Sequence, residues 1–516
     1  MKLRHLAVLT SVLVLHVACG ADDESTASGG GGAAGASGGA GAGGGNPAVT
    51  IGAAGVTVTR VDLYQGLRQT LMRDGAPQPL TLPLVQGRAA MMRVFFRTEA
   101  SYDGQPVVAR LSVEGAPAQE LAFALPQNAE SNEAQYETTL NYQIPGDQVG
   151  AALPWRVEIL QDHGAENPAA RYPAQGFEAT PIEGKPNKFR VMMVPFRYDT
   201  DGSGRVPDVG PEQIARYKNR FFSLYPVSDV EVTVHEPVPT TVTLSANGNG
   251  WQSVGFALAN LRSSEGIPDD VYLYGFFNPA PSLFSFCGAG GCLLGVTLLN
   301  NNPPDVGSVS LRLALGVGFT DQLPGSTGAL KLGIDTNTAA DTAAHELGHA
   351  HGRRHSPCAP GNQIQDVDPA YPHPGAQIGE WGFDLVAQYL YAPDQWTDIM
   401  GYCNKQFVSD FTYRALYERM QRVNMPAATG RFEYQIVGVD GAGQAEIGPR
   451  VSFGEPALGA PVEVQTVGED GEVSTLVGQR LDWDHLPGSW VLVPVTRGEL
   501  VRAELVLAGQ RVVAIR

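Results

Sequence analysis

The sequence predicts a mixed α+β body flanked on both sides by β-sandwich-like domains. Three observations lead there. Short apolar or alternating runs, separated by Gly, Pro, Asn and Asp clusters, fill residues 47–186 and return as a smaller β domain over 429–516. Between them, over 187–428, strand-like runs mix with segments of helical apolar spacing. The chain has 516 residues, 43% hydrophobic and 17% charged, enough apolar material for several packed cores.

The N-terminus reads as an address. Lys2 and Arg4 precede an apolar run from Leu6 to Leu15, and Val17-Ala18-Cys19 follows. This is the order of an export signal, too short for a membrane span, so residues 1–18 are expected to be a signal peptide. The segment resembles a bacterial lipoprotein signal, in which a cysteine at the place of Cys19 receives lipid; His16 departs from it, standing where such signals usually have Leu. Residues 19–46 then form a tether. Eleven of the seventeen residues from Gly29 to Gly45 are Gly and the others are Ala or Ser, which cannot bury apolar surface. The expectation is export from a bacterial cell, with a lipid anchor at the envelope or otherwise secretion. No later apolar run is long enough to cross a bilayer, so the lipid is the expected membrane contact. With 35 basic against 53 acidic residues, a net charge of −18, nucleic acid is not an expected partner.

In the first β region, Met91–Phe96 and Val107–Val113 read as strands. Glu183-Gly184-Lys185-Pro186 marks a boundary. Arg190–Phe196 reads as a strand, Glu212–Leu224 as a helix, and Val230–Val234 and Val271–Phe276 as further strands. The intervening Asp199-Thr200-Asp201-Gly202-Ser203-Gly204 resembles the start of a Ca²⁺ loop. Gly210 stands where the twelfth position needs an acid, so a polar strand-to-helix turn is the stronger reading and Ca²⁺ the weaker. After 429, Val462–Val467 and Trp490–Val495 read as strands.

The chemistry concentrates in His345-Glu346-Leu347-Gly348-His349-Ala350-His351-Gly352-Arg353-Arg354-His355. Asn337 or Thr338 can cap a helix whose first turns are Ala339–Ala344. On that helix His345 and His349 lie one turn apart on the same face and can hold one Zn²⁺. Glu346 can reach a water at the metal without binding the metal itself. Gly352 accepts a left-handed backbone, letting the chain turn so that His355 returns as a third ligand. Three protein ligands leave coordination open, as catalytic zinc requires. His351 points away from the metal, as a surface residue or one lying behind the ligands. His163, His235 and His373 are isolated, and Glu380-Trp381-Gly382 either lines a cleft or packs.

This segment resembles the extended zinc signature of the metzincin metalloproteases. Trp396-Thr397-Asp398-Ile399-Met400-Gly401-Tyr402 resembles that family's methionine-containing turn, with Met400 as its methionine. By similarity to the astacin and serralysin subgroup, Tyr402 is an additional displaceable ligand or a donor to the transition state. The closest likeness, over about 188–427, is to secreted bacterial metzincins of the mucin-cleaving lipoprotein type. It implies a metzincin-like catalytic domain, one catalytic Zn²⁺ on His345, His349 and His355, Glu346 as general base, and a protein or glycoprotein substrate lying along an edge strand within Leu293–Leu299. No glycan-reading segment is identifiable.

Of five cysteines, four remain if Cys19 carries lipid, and four allow three pairings. Cys287-Gly-Ala-Gly-Gly-Cys292 can close locally. Cys358 and Cys403 each follow a landmark of the resemblance, His355 and Met400, by three residues, and are expected to pair. The competing function is a surface binding or adhesion protein with a non-catalytic zinc. Glu346 argues against it, because structural zinc has no use for an uncoordinated carboxylate.

Overall fold

Val107–Val113 alternates buried and half-buried residues along its length, the period-two pattern of a strand with one face in a core. In a computed structural model of the protein, it pairs antiparallel with Gln119–Phe123 on one side and Ala152–Gln161 on the other. A second antiparallel sheet faces it, ordered Ala76–Pro77, Arg68–Arg73, Val56–Tyr64, Ala90–Thr98, Leu140–Ile144. Val58, Leu63, Leu111 and Trp155 meet between the two sheets in a single core. The structure describes residues 49–288, 292–299, 312–320, 337–358, 366–403, 405–425, 430–495 and 498–516. The expected signal peptide, Cys19 and the glycine-rich tether lie outside the described residues. No helix among the described residues is long and apolar enough to cross a membrane.

The α+β region begins with β1 (Lys188–Tyr198), α1 (Pro211–Leu224) and β2 (Asp229–Val234). Then come α2 (Trp251–Glu265), β3 (Val271–Phe277), β4 (Gly295–Leu299), β5 (Leu313–Val317) and α3 (Thr338–Ala350). The strands lie in the order β2-β1-β3-β5-β4; all neighbours are parallel except β4, which runs antiparallel to β5. Helix α4 (Asp410–Val423) follows, its N-terminus capped by Ser409. The polar loop after β1 is a turn closed by arginines: Asp199 meets Arg197 and Asp201 meets Arg205.

The C-terminal strands include β6 (Val473–Trp483) and β7 (Gly488–Pro494). They have a small core of their own around Val464, Val491, Ala503 and Leu505. They also extend the α+β sheet, because β6 pairs antiparallel with β4 at Leu298↔Trp483 and Leu299↔Asp482. A larger core beneath α2 joins Trp251 and Leu258 to Leu481, Trp483, Trp490 and Leu492.

The N-terminal sandwich is joined to the α+β region through Arg88, which is wholly buried. Its Nη1 donates to the carbonyls of Tyr225 and Val227, its Nη2 to that of Phe222 and its Nε to that of Gln65. The Phe222 and Tyr225 carbonyls close the C-terminal end of α1, where the helix dipole favours a cation. Replacing Arg88 with Ala removes all four of these hydrogen bonds at once and leaves the Phe222 and Val227 carbonyls without the guanidinium that meets them. Arg88→Ala is expected to lower unfolding stability by at least about 3 kcal/mol, measured by urea denaturation.

Candidate active site

Helix α3 is built mainly from small residues, and all thirteen of its residues are buried. Ala339, Ala340, Ala343 and Ala344 let it lie close against Tyr272, Tyr274 and Ala314 of the sheet. Asn337 caps its start, accepting from the Ala340 N–H at 2.9 Å. Arg220 of α1 pairs with Asp341 at 2.9 Å within the core. At its C-terminus Gly352 has φ +83°, and the Gly348 carbonyl accepts from Arg353 N. The chain then turns back and brings His355 to the face that carries His345 and His349.

The three rings converge. His349 Nε2 lies 3.0 Å from both His345 Nε2 and His355 Nε2. Two of the rings have their far nitrogen held by a carbonyl: His345 Nδ1 donates to Ile399 O at 2.8 Å and His349 Nδ1 to Arg353 O at 2.6 Å. A carbonyl only accepts, so those Nδ1 atoms carry the protons and the facing Nε2 atoms carry lone pairs. Burial depresses the basicity of both rings, holding His345 down at about 3, so they stay neutral near pH 7. Lone pairs aimed at a common point repel unless a cation lies between them. The donor set therefore fits a metal ion, and neutral imidazole at this spacing suits zinc.

Met400 lies beneath α3. It is 1% exposed, and a Cβ added at Gly348 would fall 2.5 Å from its Sδ. Its turn is held by Asp398, whose Oδ1 accepts from Met400 N and whose Oδ2 accepts from Ser409 N, both at 2.8 Å. The same turn supplies the Ile399 carbonyl that orients His345. Ser356 N donates to Met400 O and Tyr402 N to Cys358 O, joining the turn to the strand-like segment after His355. A Cys358–Cys403 disulfide closes this pairing, and Cys287–Cys292 forms a second bridge. Tyr402 Oη lies 2.7 Å from His355 Nε2.

Glu346 faces β4. A Cβ on Gly295 would lie 2.5 Å from its Oε1, so the carboxyl rests directly on that backbone. A cleft of about 300 Å³ opens here, lined by Leu293, Gly295, His345, Glu346, Tyr402 and His485.

Two residues of this cleft carry no signal in the sequence. Asp484 and His485 come from the turn between β6 and β7. His485 Nδ1 and Nε2 lie 2.8 and 3.0 Å from Tyr402 Oη, and its Nε2 lies 3.9 Å from Glu346 Oε1. Asp484 lies against Glu346. Both carboxyls are buried, and burial pushes both above the usual carboxylate range, Glu346 further because of Asp484. Asp484 Oδ2 lies 3.3 Å from His485 Nε2 and 3.6 Å from His349 Nε2. A cation among the histidines would favour ionisation of these two carboxyls, a second reason that a cation fits. Only an Asp-His pair in a predicted turn could have pointed here.

Other expectations change. His351 does lie on the far side of α3 from the cluster, but it is not a surface residue. The far side of α3 packs on the sheet, and the His351 ring stacks on Tyr272 with centroids 4.1 Å apart. Leu293–Leu299 is not an open edge throughout, since β6 covers Leu298 and Leu299. Glu380-Trp381-Gly382 packs against the N-terminal sandwich, with Glu380 paired to Arg68 and the Trp381 carbonyl accepting from Arg68 N.

Residues 314–430 match the family model of Peptidase M66. The match supports a metallopeptidase and spans β5, α3, the Met400 turn and α4. No curated protein matches the chain.

The close seat of Glu346 on β4 is testable. Gly295→Ala is expected to push the carboxyl aside without touching the imidazoles. Peptide cleavage should fall by about 10²-fold, while zinc per chain, counted by atomic absorption, stays unchanged.

Proposed function

We propose that the protein is an exported zinc endopeptidase of the metzincin type. Residues 187–428 carry catalysis, and 47–186 and 429–516 serve as accessory β domains. The observation that carries this reading is the convergence of three imidazoles on one point with a carboxyl, Glu346, beside them at a cleft. The M66 match over the same segment and the buried methionine turn beneath it support it further.

His345, His349 and His355 are the residues that would hold the ion. Bound there, zinc supplies a Lewis acid for the scissile carbonyl and makes water a nucleophile near neutral pH. Glu346 takes the proton from the attacking water and passes it to the departing amine. Its raised affinity for a proton suits both halves of that task. The Tyr402 hydroxyl, kept protonated by burial, donates to the oxygen that gains negative charge. A substrate strand lies against β4 at the Gly295 end, beside the Cys287–Cys292 bridge. Extracellular proteins, glycoproteins among them, are the substrate class. Two disulfides and the signal-like N-terminus support export, with Cys19 as the lipid attachment point.

Glu346→Gln keeps the shape of the side chain and removes the base. The variant is expected to bind one zinc per chain and to lose about 10²- to 10⁴-fold in cleavage of casein and of a mucin-type glycoprotein. Full activity in the variant would sink the mechanism.

A further inference from the structure

The turn joining β6 to β7 is built into the cleft rather than resting on it. Asp484 N donates to Thr297 O at 3.1 Å, and Asp484 Oδ1 accepts from Thr297 N at 2.9 Å. That oxygen also accepts from His485 N at 2.9 Å. The flanking strands are anchored by rings: Trp483 packs on Trp490 at 5.3 Å, and Trp490 on Phe256 of α2 at 5.1 Å. Because β6 runs antiparallel to β4, with Trp483 opposite Leu298, the chain arrives at the histidine cluster along the outer edge of β4.

The imidazole at the tip of this turn faces the other three. The His485 ring centroid is 4.8 Å from that of His355, 5.7 Å from His349 and 6.0 Å from His345. One nitrogen from each of the four rings falls within 4.8 Å of every other. We propose that His485 is a fourth protein ligand of the metal ion, supplied by the C-terminal β region and displaced when substrate enters.

The ring differs from the other ligands in how it is held. His345 and His349 are each locked by a carbonyl at Nδ1. Both nitrogens of His485 instead face the hydroxyl of Tyr402, and its Nε2 also lies 3.3 Å from Asp484 Oδ2, with no carbonyl among the described residues locking the ring. Its side chain is 15% exposed at the cleft, whereas His349 and Asp484 are sealed from solvent. A rotation about the side-chain bonds therefore carries the imidazole out while Asp484 keeps the backbone in place. With the ring seated, four nitrogens close the coordination shell. With it swung out, the three-ligand set that catalysis requires is restored, and Tyr402 is released from its contact with His485 to face the substrate.

This inference rests on the reading of His345, His349 and His355 as the metal centre, and the experiment separates the two. Zinc affinity of the full chain is measured by competition with a chromophoric chelator for the parent, His485→Ala and His345→Ala. Binding of acetohydroxamate to the zinc-loaded parent and His485→Ala follows. His485→Ala is expected to keep one zinc per chain, bind it about 10- to 100-fold more weakly, and bind hydroxamate more tightly because the fourth position is open. Equal zinc affinity in parent and His485→Ala overturns the proposal alone. Equal affinity in parent and His345→Ala overturns the underlying metal centre and the proposal with it. His485→Gln retains a hydrogen bond to Tyr402 while offering a poor zinc ligand. It repeats the measurement if the alanine variant fails to match the zinc-free parent in thermal unfolding, and an undiminished zinc affinity there likewise overturns the proposal.

Discussion

Three imidazoles crowded onto one point are costly to hold together, and much of the surrounding architecture is arranged to hold them. The carbonyl of Arg353, just past the left-handed turn at Gly352, fixes His349. The carbonyl of Ile399, within the methionine turn, fixes His345. These two pieces of chain are far apart in sequence, and the Cys358–Cys403 bridge ties them together. Their backbone pairing through Ser356 and Tyr402 does the same work without a covalent bond. An entirely buried α3 gives the arrangement a rigid base, since no side chain on that helix is free to trade packing for solvent.

What could be read in advance follows the range of the interactions. The relation of His345 to His349 is local, set by the helical period, and so is the role of Gly352 in turning the chain. The Asn337 cap and the helix at α1 are local as well. The Cys358–Cys403 bridge spans a longer distance, but both cysteines flank features of the same centre. His351 shows where period alone stops: its angle around α3 follows from sequence, while its burial depends on the sheet packed behind. The outer partner of β4 was equally hidden, because alternation along a strand says which face is apolar and nothing about which strand lies beside it. Arg88, Asp484 and His485 act entirely through contacts with distant segments, and each looks ordinary in its own neighbourhood.

The charge of the cleft also emerges only from the fold. Glu346 and Asp484 are separated by well over a hundred residues in sequence, yet they share one buried pocket. Two carboxyls this close resist simultaneous ionisation, and the pair holds protons more tightly than either would alone. A positive ion among the histidines reverses that preference. Metal binding and the protonation of Glu346 would thus be linked through a residue of the turn between β6 and β7.

The joining of β6 to β4 has a consequence for the order in which the molecule is made. A polypeptide is synthesised from its N-terminus, and the earlier regions begin to fold first. Here the outer partner of the α+β sheet, two tryptophans that pack beneath α2 and the residues at Asp484–His485 all follow the α+β region in the sequence. A nascent chain that has completed α3 and the methionine turn still lacks one wall of its own cleft. The cleft is finished only after the strands from residue 473 to 494 have been made.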